Sequence, residues 1–146
     1  MARRQVSRRD FLKRAAAAAA PLVVSARVFG ANDQITMGAI GMGGRGRGDT
    51  RTFMGFKEMR VIAVCDVDAN HAQMAKATAD KRYGNRDCRA VGDFREITRR
   101  DDIDTVFIGT PDHWHAIIAC DAMRNGKDVY CEKPETLTCL LYTSDA

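Results

Sequence analysis

A short apolar run, Ile35 to Ile40, passes directly into Gly41-Met42-Gly43-Gly44-Arg45-Gly46, and a second run, Met59 to Cys65, ends on Asp66. Glycines at 41, 43 and 46 satisfy G-x-G-x-x-G, and Asp66 follows the third glycine by twenty residues. A strand that ends in such a loop must turn tightly and start a helix, which returns the chain to a second, parallel strand. The first glycine permits the turn, the second lets backbone N–H groups approach an anion, and the third lets helix pack closely on strand. A flexible glycine loop with a chance acid would show the triplet without the ordered strands and helix around it. The spacing therefore predicts a βαβ unit with an anion cradle at a helix N-terminus, where unsatisfied N–H groups and the helix dipole favour phosphate.

The same rhythm continues down the chain. Ala69 to Tyr83 is alanine-rich and helical, stopped by Gly84-Asn85. Arg89 to Val91 is a weak third strand, followed by a short helix around Phe94–Thr98. Thr105 to Ile108 is a fourth strand, and His113 to Arg124 a helix expected to turn Ile117, Ile118 and Met123 inward. Asp128 to Cys131 is a fifth strand. Strands that alternate with helices, without clean polar alternation, indicate an α/β fold with a doubly wound parallel sheet buried on both faces. The five cysteines (Cys65, Cys88, Cys120, Cys131, Cys139) form no C-x-x-C pair, and no structural disulfide is expected.

Asp66 sits where a carboxylate can accept hydrogen bonds from the adenosine ribose hydroxyls of a dinucleotide. It would repel a 2′-phosphate, and Val67 and Asp68 bring no compensating cation, so NAD is favoured over NADP. Arg45 and Arg47 lie in the loop and are expected on the pyrophosphate or in solvent. After the fourth strand comes Thr110-Pro111-Asp112-His113-Trp114-His115, at the sheet edge where ligands bind in this architecture. Asp112, His113 and His115 do not make a metal set, because the histidines are two apart and no third ligand follows at familiar spacing; no metal is expected. Asp112 as a helix cap and His113 as a surface residue explain that pair more simply. Glu132-Lys133-Pro134 follows the fifth strand at the same edge. A lysine there can hold a substrate hydroxyl and stabilise the alkoxide that develops as hydride leaves; otherwise it is a surface residue in a turn.

Together these motifs resemble the N-terminal domain of the Gfo/Idh/MocA oxidoreductases. The resemblance runs from about Ile35 to Thr138, on Ala39–Gly46, Val64-Cys65-Asp66, the family's Thr-Pro-x-x-x-His pattern at Thr110, Pro111 and His115, and Cys131-Glu132-Lys133-Pro134. Glu135 departs from it, standing where an apolar residue is expected. The resemblance implies an NAD(P)-dependent oxidoreductase acting on a sugar or polyol. Gly41, Met42, Gly43, Gly44, Arg45, Gly46, Asp66, Thr110, Pro111, His115 and Glu132 would bind the cofactor, and Lys133 would match the catalytic lysine. It also implies a second, substrate-binding domain carrying the acid/base partner, and it is compatible with a homo-oligomer in the full-length protein. NAD-dependent glycoside hydrolysis, as some exported members perform it, and a non-catalytic NAD-binding module are the competing functions.

Charge is concentrated at the start. Residues 1–14 carry six basic side chains and one acid, whereas the remaining 132 carry 17 basic and 18 acidic groups. The folded body therefore lacks the basic stripe of a nucleic-acid binder. The basic segment leads into an uncharged run of twelve residues, Ala15–Ala26, shorter than the roughly 20 a spanning helix needs, so no stable membrane anchor is expected. Ser7-Arg8-Arg9, followed by Phe11-Leu12-Lys13, resembles a twin-arginine (Tat) signal over residues 1–30. That implies the Tat export machinery as a partner and a periplasmic or extracytoplasmic location. At the other end, five strands are complete by Cys131, where the doubly wound fold expects about six and a covering helix. The tail 139–146 resembles a translated sequencing adapter. Residues 34–138 are thus expected to form a dinucleotide-binding domain incomplete at its C-terminus, inactive alone, with native sequence ending near Thr138.

Overall fold

The computed structural model describes residues 34–136. The leader at 1–30 and the tail at 139–146 lie outside the described residues. Five strands, β1 (Ile35–Ile40), β2 (Met59–Cys65), β3 (Arg89–Val91), β4 (Thr105–Ile108) and β5 (Asp128–Cys131), make one sheet in the order β3-β2-β1-β4-β5. Every pairing in it is parallel. Four helices connect them: α1 (Gly44–Phe53), α2 (Ala69–Tyr83), α3 (Arg95–Thr98) and α4 (His115–Arg124), the last preceded by a 3₁₀ turn at Asp112–Trp114. This is a Rossmann-like, doubly wound α/β fold. The strand order reverses direction between β1 and β4, and the crevice beyond their carboxyl ends is where such sheets bind ligands.

The sheet has two buried faces because successive residues of its central strands point to opposite sides. Met37, Ala39, Val61, Val64 and Phe107 pack on one face under α1 and α2. Ile40, Ala63, Cys65, Val106 and Ile108 pack on the other with Ile97, Ile103 and Ile118. That is why the strands read as apolar runs rather than alternating ones. Helix α2 buries Ala72, Ala75 and Ala79, and alanines at this spacing let its axis lie close to the sheet. Its ends are set locally. The Asp68 carboxylate accepts from the Asn70 N–H at 2.8 Å, and Gly84, at φ +67°, ends the helix in the left-handed conformation.

Helix α4 differs from the sequence expectation. Its buried stripe is His115, Ile118 and Ala122, whereas Ile117 and Met123 are exposed. Each of those two lies one residue, about 100° of helical rotation, to either side of the stripe. Asp112 does not cap by its side chain either. The residue before the 3₁₀ turn is Pro111, whose carbonyl accepts from the Trp114 N–H at 3.0 Å, and the turn feeds straight into α4 without a discrete cap.

Gly38, in mid-strand, was not singled out by sequence. A Cβ there would stand 2.3 Å from the Ile97 side chain, so this glycine makes room for Ile97 under β1.

Among the described residues no helix is long and apolar enough to cross a membrane.

Candidate functional site

Three loops converge at the carboxyl ends of β1, β4 and β5. The first is the glycine loop. Gly41 takes φ +86° and donates its N–H to the Cys65 carbonyl at 2.8 Å. A Cβ at Gly41 would lie 2.5 Å from the Thr110 nitrogen, and one at Gly46 only 1.8 Å from the Gly41 carbonyl oxygen. These two glycines let the loop, the start of α1 and the loop after β4 touch backbone to backbone. At Gly43 and Gly44 an added Cβ would meet nothing within 4 Å. The first turn of α1 has no side-chain cap there, leaving its N–H groups free for an anion.

Asp66 stands at the end of β2 as the spacing requires, and its carboxylate is engaged twice. Oδ2 accepts from the Met42 N–H at 2.6 Å, and Oδ1 accepts from the Asp68 N–H at 2.9 Å. The acid therefore holds the glycine loop in place as well as facing the crevice. Sequence spacing did not reveal the basic side chains near it. The His71 Nδ1 lies 3.7 Å from Asp66 Oδ2 and 4.0 Å from Asp68 Oδ2. Arg95, at the start of α3, stacks over Phe94 at 4.4 Å and pairs with Asp93 at 3.3 Å. Asp66, Asp93, Phe94, Arg95, Thr110 and Trp114 line a cleft of about 350 Å³ above the ends of β1 and β2. Its size and mixed lining, with aromatic rings beside a carboxylate, suit the adenosine half of a dinucleotide. The Thr110 hydroxyl is buried with no hydrogen-bond partner among the described residues, which leaves it a polar group to offer a ligand.

The third loop follows β5. The Glu132 N–H donates to the Ile108 carbonyl at 2.9 Å, and the Lys133–Pro134 peptide is cis. Lys133 is exposed at this edge. The Glu132 carboxylate is reached by Arg45, whose guanidinium lies 3.7 Å away while its Nε forms a 2.9 Å ion pair with Asp49. Arg45 thus spans from the first turn of α1 to the Glu-Lys-Pro loop. His115 is only 1% exposed, and its ring lies between two loops. Nδ1 stands 2.6 Å from the Pro134 carbonyl oxygen, and Nε2 stands 2.7 Å from the Thr110 carbonyl oxygen. The structure places the glycine loop, Thr110, Pro111, Glu132 and Lys133 at the carboxyl ends of β1, β4 and β5, with Asp66 at the end of β2, whereas His115 is buried and meets its neighbours through backbone groups. His113 is exposed.

The cysteines near the site are thiols, not nucleophiles. Burial first, then the negative charge of Asp66, pushes Cys65 up to about 12. Burial, with Glu135 and Glu132, pushes Cys131 up to about 11. Cys65, Cys88, Cys120 and Cys131 are all free, and Cys139 lies outside the described residues. No cluster of three metal-ligating side chains occurs among the described residues.

The model of an oxidoreductase family described as Gfo/Idh/MocA, NAD-binding Rossmann fold, matches residues 35–140. A glycosyl hydrolase family 109 protein of Saccharopolyspora erythraea is 36% identical over 113 residues, covering 75% of this chain and 25% of that protein. An alpha-N-acetylgalactosaminidase of Shewanella oneidensis is 30% identical over 158 residues, covering 91% of this chain and 34% of its own length. The fold is similar to that of myo-inositol dehydrogenase from Lactobacillus casei in complex with NAD(H) and myo-inositol. There the TM-score is 0.66 at 23% identity, over 76% of this chain and 32% of that one. The chain spans about a quarter to a third of the length of the curated relatives it matches.

Proposed function

This chain belongs to the Gfo/Idh/MocA oxidoreductase family, of which it carries the NAD-binding Rossmann domain, and from that premise we propose that the whole protein oxidises a sugar or polyol carbon, with Lys133 as the catalytic residue on this domain. The observation that carries the proposal is the convergence of the glycine loop, the Thr110 loop and the Glu132–Pro134 loop on one crevice. When bound, NAD supplies the hydride acceptor. The first-turn N–H groups of α1 hold its pyrophosphate, and Asp66 receives the ribose hydroxyls. The Lys133 ammonium donates to the substrate hydroxyl and stabilises the oxygen as negative charge develops on it. Glu132 and Arg45 anchor the loop that presents Lys133. The acid/base partner belongs to the second domain that the family resemblance implies.

Lys133→Ala in the full-length protein tests this. Turnover should fall by about a hundredfold or more, as for loss of one electrostatic stabiliser, while NAD binds within about threefold of the wild type. Undiminished turnover would refute the assignment.

The similarity to glycosyl hydrolase family 109 proteins favours a second reading, glycoside hydrolysis through transient oxidation. It uses the same Rossmann domain and the same Lys133, and it predicts turnover of a glycoside with no net change in NADH absorbance. Net NADH formation supports the oxidoreductase. We further propose Tat-dependent export on the Ser7–Lys13 pattern alone.

A further inference from the structure

We propose that Trp114 is the side chain on which the adenine of the cofactor stacks, so that its indole sets how tightly the adenosine half is held. The proposal rests on the reading of this domain as an NAD-binding one.

The cleft above the ends of β1 and β2 has a direction. Asp66, set against the adenosine ribose, lies in its wall, whereas Glu132 and Lys133 do not. A dinucleotide running from Asp66 over the first turn of α1 to Lys133 therefore leaves its adenine in this cleft and carries its nicotinamide out of it. A base binds well where its flat faces meet an aromatic ring. The wall offers two such rings, Phe94 and Trp114. Phe94 is only 8% exposed, and the Arg95 guanidinium covers one of its faces at 4.4 Å. Trp114 is 41% exposed. Its ring neighbours, Phe94 and His113, stand 6.2 and 6.1 Å away at interplanar angles of 59° and 47°, so neither lies flat on the indole. The indole keeps free surface that Phe94 does not.

Local structure puts the ring there. Trp114 closes the 3₁₀ turn that feeds α4, and Ile118, about one helical turn further on and buried, lines the same cleft. On the Asp66 side, Val67 is 97% exposed and lines the cleft too. An exposed tryptophan and an exposed valine in one wall leave apolar surface in water, which a base would cover. Stacking on a ring tolerates any base, because every base has a π face. Trp114 therefore contributes affinity for the adenosine half, while discrimination at the ribose stays with the Asp66 carboxylate.

The test is calorimetric titration of the full-length protein with NAD and with ADP-ribose, which lacks the nicotinamide. Trp114→Ala should weaken both by the same factor, about tenfold or more, and Trp114→Phe, which keeps a ring, should stay within about threefold of the wild type. Wild-type affinity in Trp114→Ala overturns the proposal. A loss confined to NAD also overturns it, since that would set Trp114 against the nicotinamide, and so does a phenylalanine variant as weak as the alanine one. Emission gives a second reading that does not depend on the alanine variant folding. Trp114 is the sole tryptophan of these 146 residues. Saturating ADP-ribose should lower tryptophan emission in the wild type by more than in Trp114→Phe, and an equal change in the two overturns the stacking contact. Failure of the NAD-binding reading itself is seen separately, as a wild type that binds neither ligand, and it takes this proposal with it.

Discussion

Replacing Gly46 with alanine should damage the fold, whereas the same change at Gly43 should damage only the site. Alanine is ordinarily better than glycine inside a helix, by about 1 kcal/mol. At Gly46 that gain is opposed by a Cβ 1.8 Å from the Gly41 carbonyl oxygen and 3.0 Å from its carbon. Real Cβ contacts essentially never fall under 3.0 Å, so α1 must retreat from the loop by more than 1 Å. The obstacle is backbone on both sides and cannot rotate away. Overpacking of this kind costs about 3 kcal/mol, at the upper end of the usual range. The net loss is roughly 2 kcal/mol, a large fraction of a domain's stability and about 8–16 °C in melting temperature.

At Gly43 the added methyl meets nothing within 4 Å, and its φ of −63° suits any residue. Stability should stay within about 0.5 kcal/mol. The methyl would point into the space that a pyrophosphate must approach, weakening NAD binding about tenfold or more. Urea unfolding and NAD titration on both variants make the comparison. Wild-type stability in Gly46→Ala, or wild-type NAD affinity in Gly43→Ala, would refute the reasoning.

Asp66→Ala should weaken NAD far more than NADP, read by binding titrations with both cofactors on the full-length protein; tighter NADP than NAD in the wild type would reject the argument. Asp104 accepts from the Thr36 N–H and hydroxyl, both at 2.8 Å, and the backbone bond first, then the hydroxyl, hold its carboxyl below the usual range. A depressed folded value means stabilisation that is present above the unfolded value of about 4 and lost as pH falls through the folded one. Asp104→Asn should therefore cost roughly 1 kcal/mol at pH 7, kept modest by exposure, and progressively less as pH falls through the folded value of the wild type. Urea midpoints across that range check it. Changing Arg8 and Arg9 together to lysine should retain the protein in the cytoplasm, read by fractionation, with its fold intact.

What sequence could supply depended on how locally each feature is encoded. The glycine loop, Asp66 and all five strands were legible because each is set by neighbours in the chain: apolar runs, turn residues, and one spacing of twenty. The Asp68 and Gly84 ends of α2 are equally local. The phase of α4 was not, because a 3₁₀ turn precedes it and three apolar residues competed for one stripe. Arg95 and Phe94 reach the Asp66 cleft from the start of α3, nearly thirty residues further on, and nothing in their own surroundings marks them. Gly38 is needed only because Ile97 lies beneath it, a fact about packing between distant elements. For His115 the motif was visible, but the commitment of both ring nitrogens to carbonyls of two different loops was not.

The double engagement of Asp66 changes what its charge can do. A free carboxylate could rotate away from a 2′-phosphate and soften the repulsion. This one would first have to leave the Met42 and Asp68 N–H groups, at 2.6 and 2.9 Å. Hydrogen bonds to a charged group are each worth roughly 1.5–3 kcal/mol, so relief by rotation costs about as much as it gains. A carboxylate offers about four acceptor positions, and two remain for ribose hydroxyls. Fixing the acid on backbone would thus leave room for NAD while stiffening the repulsion of a 2′-phosphate. Arg95 works in the opposite sense, since it brings a permanent positive charge to the same cleft. Asp93 pairs with it at 3.3 Å, and its guanidinium lies over Phe94. The choice between cofactors would therefore rest on Asp66 and Arg95, both restrained before any ligand arrives, and removing Asp93 should shift it toward NADP by freeing Arg95. Competitive titration of Asp93→Ala against the wild type reads that shift directly, and an unchanged NAD-to-NADP ratio would show that Arg95 takes no part in the choice.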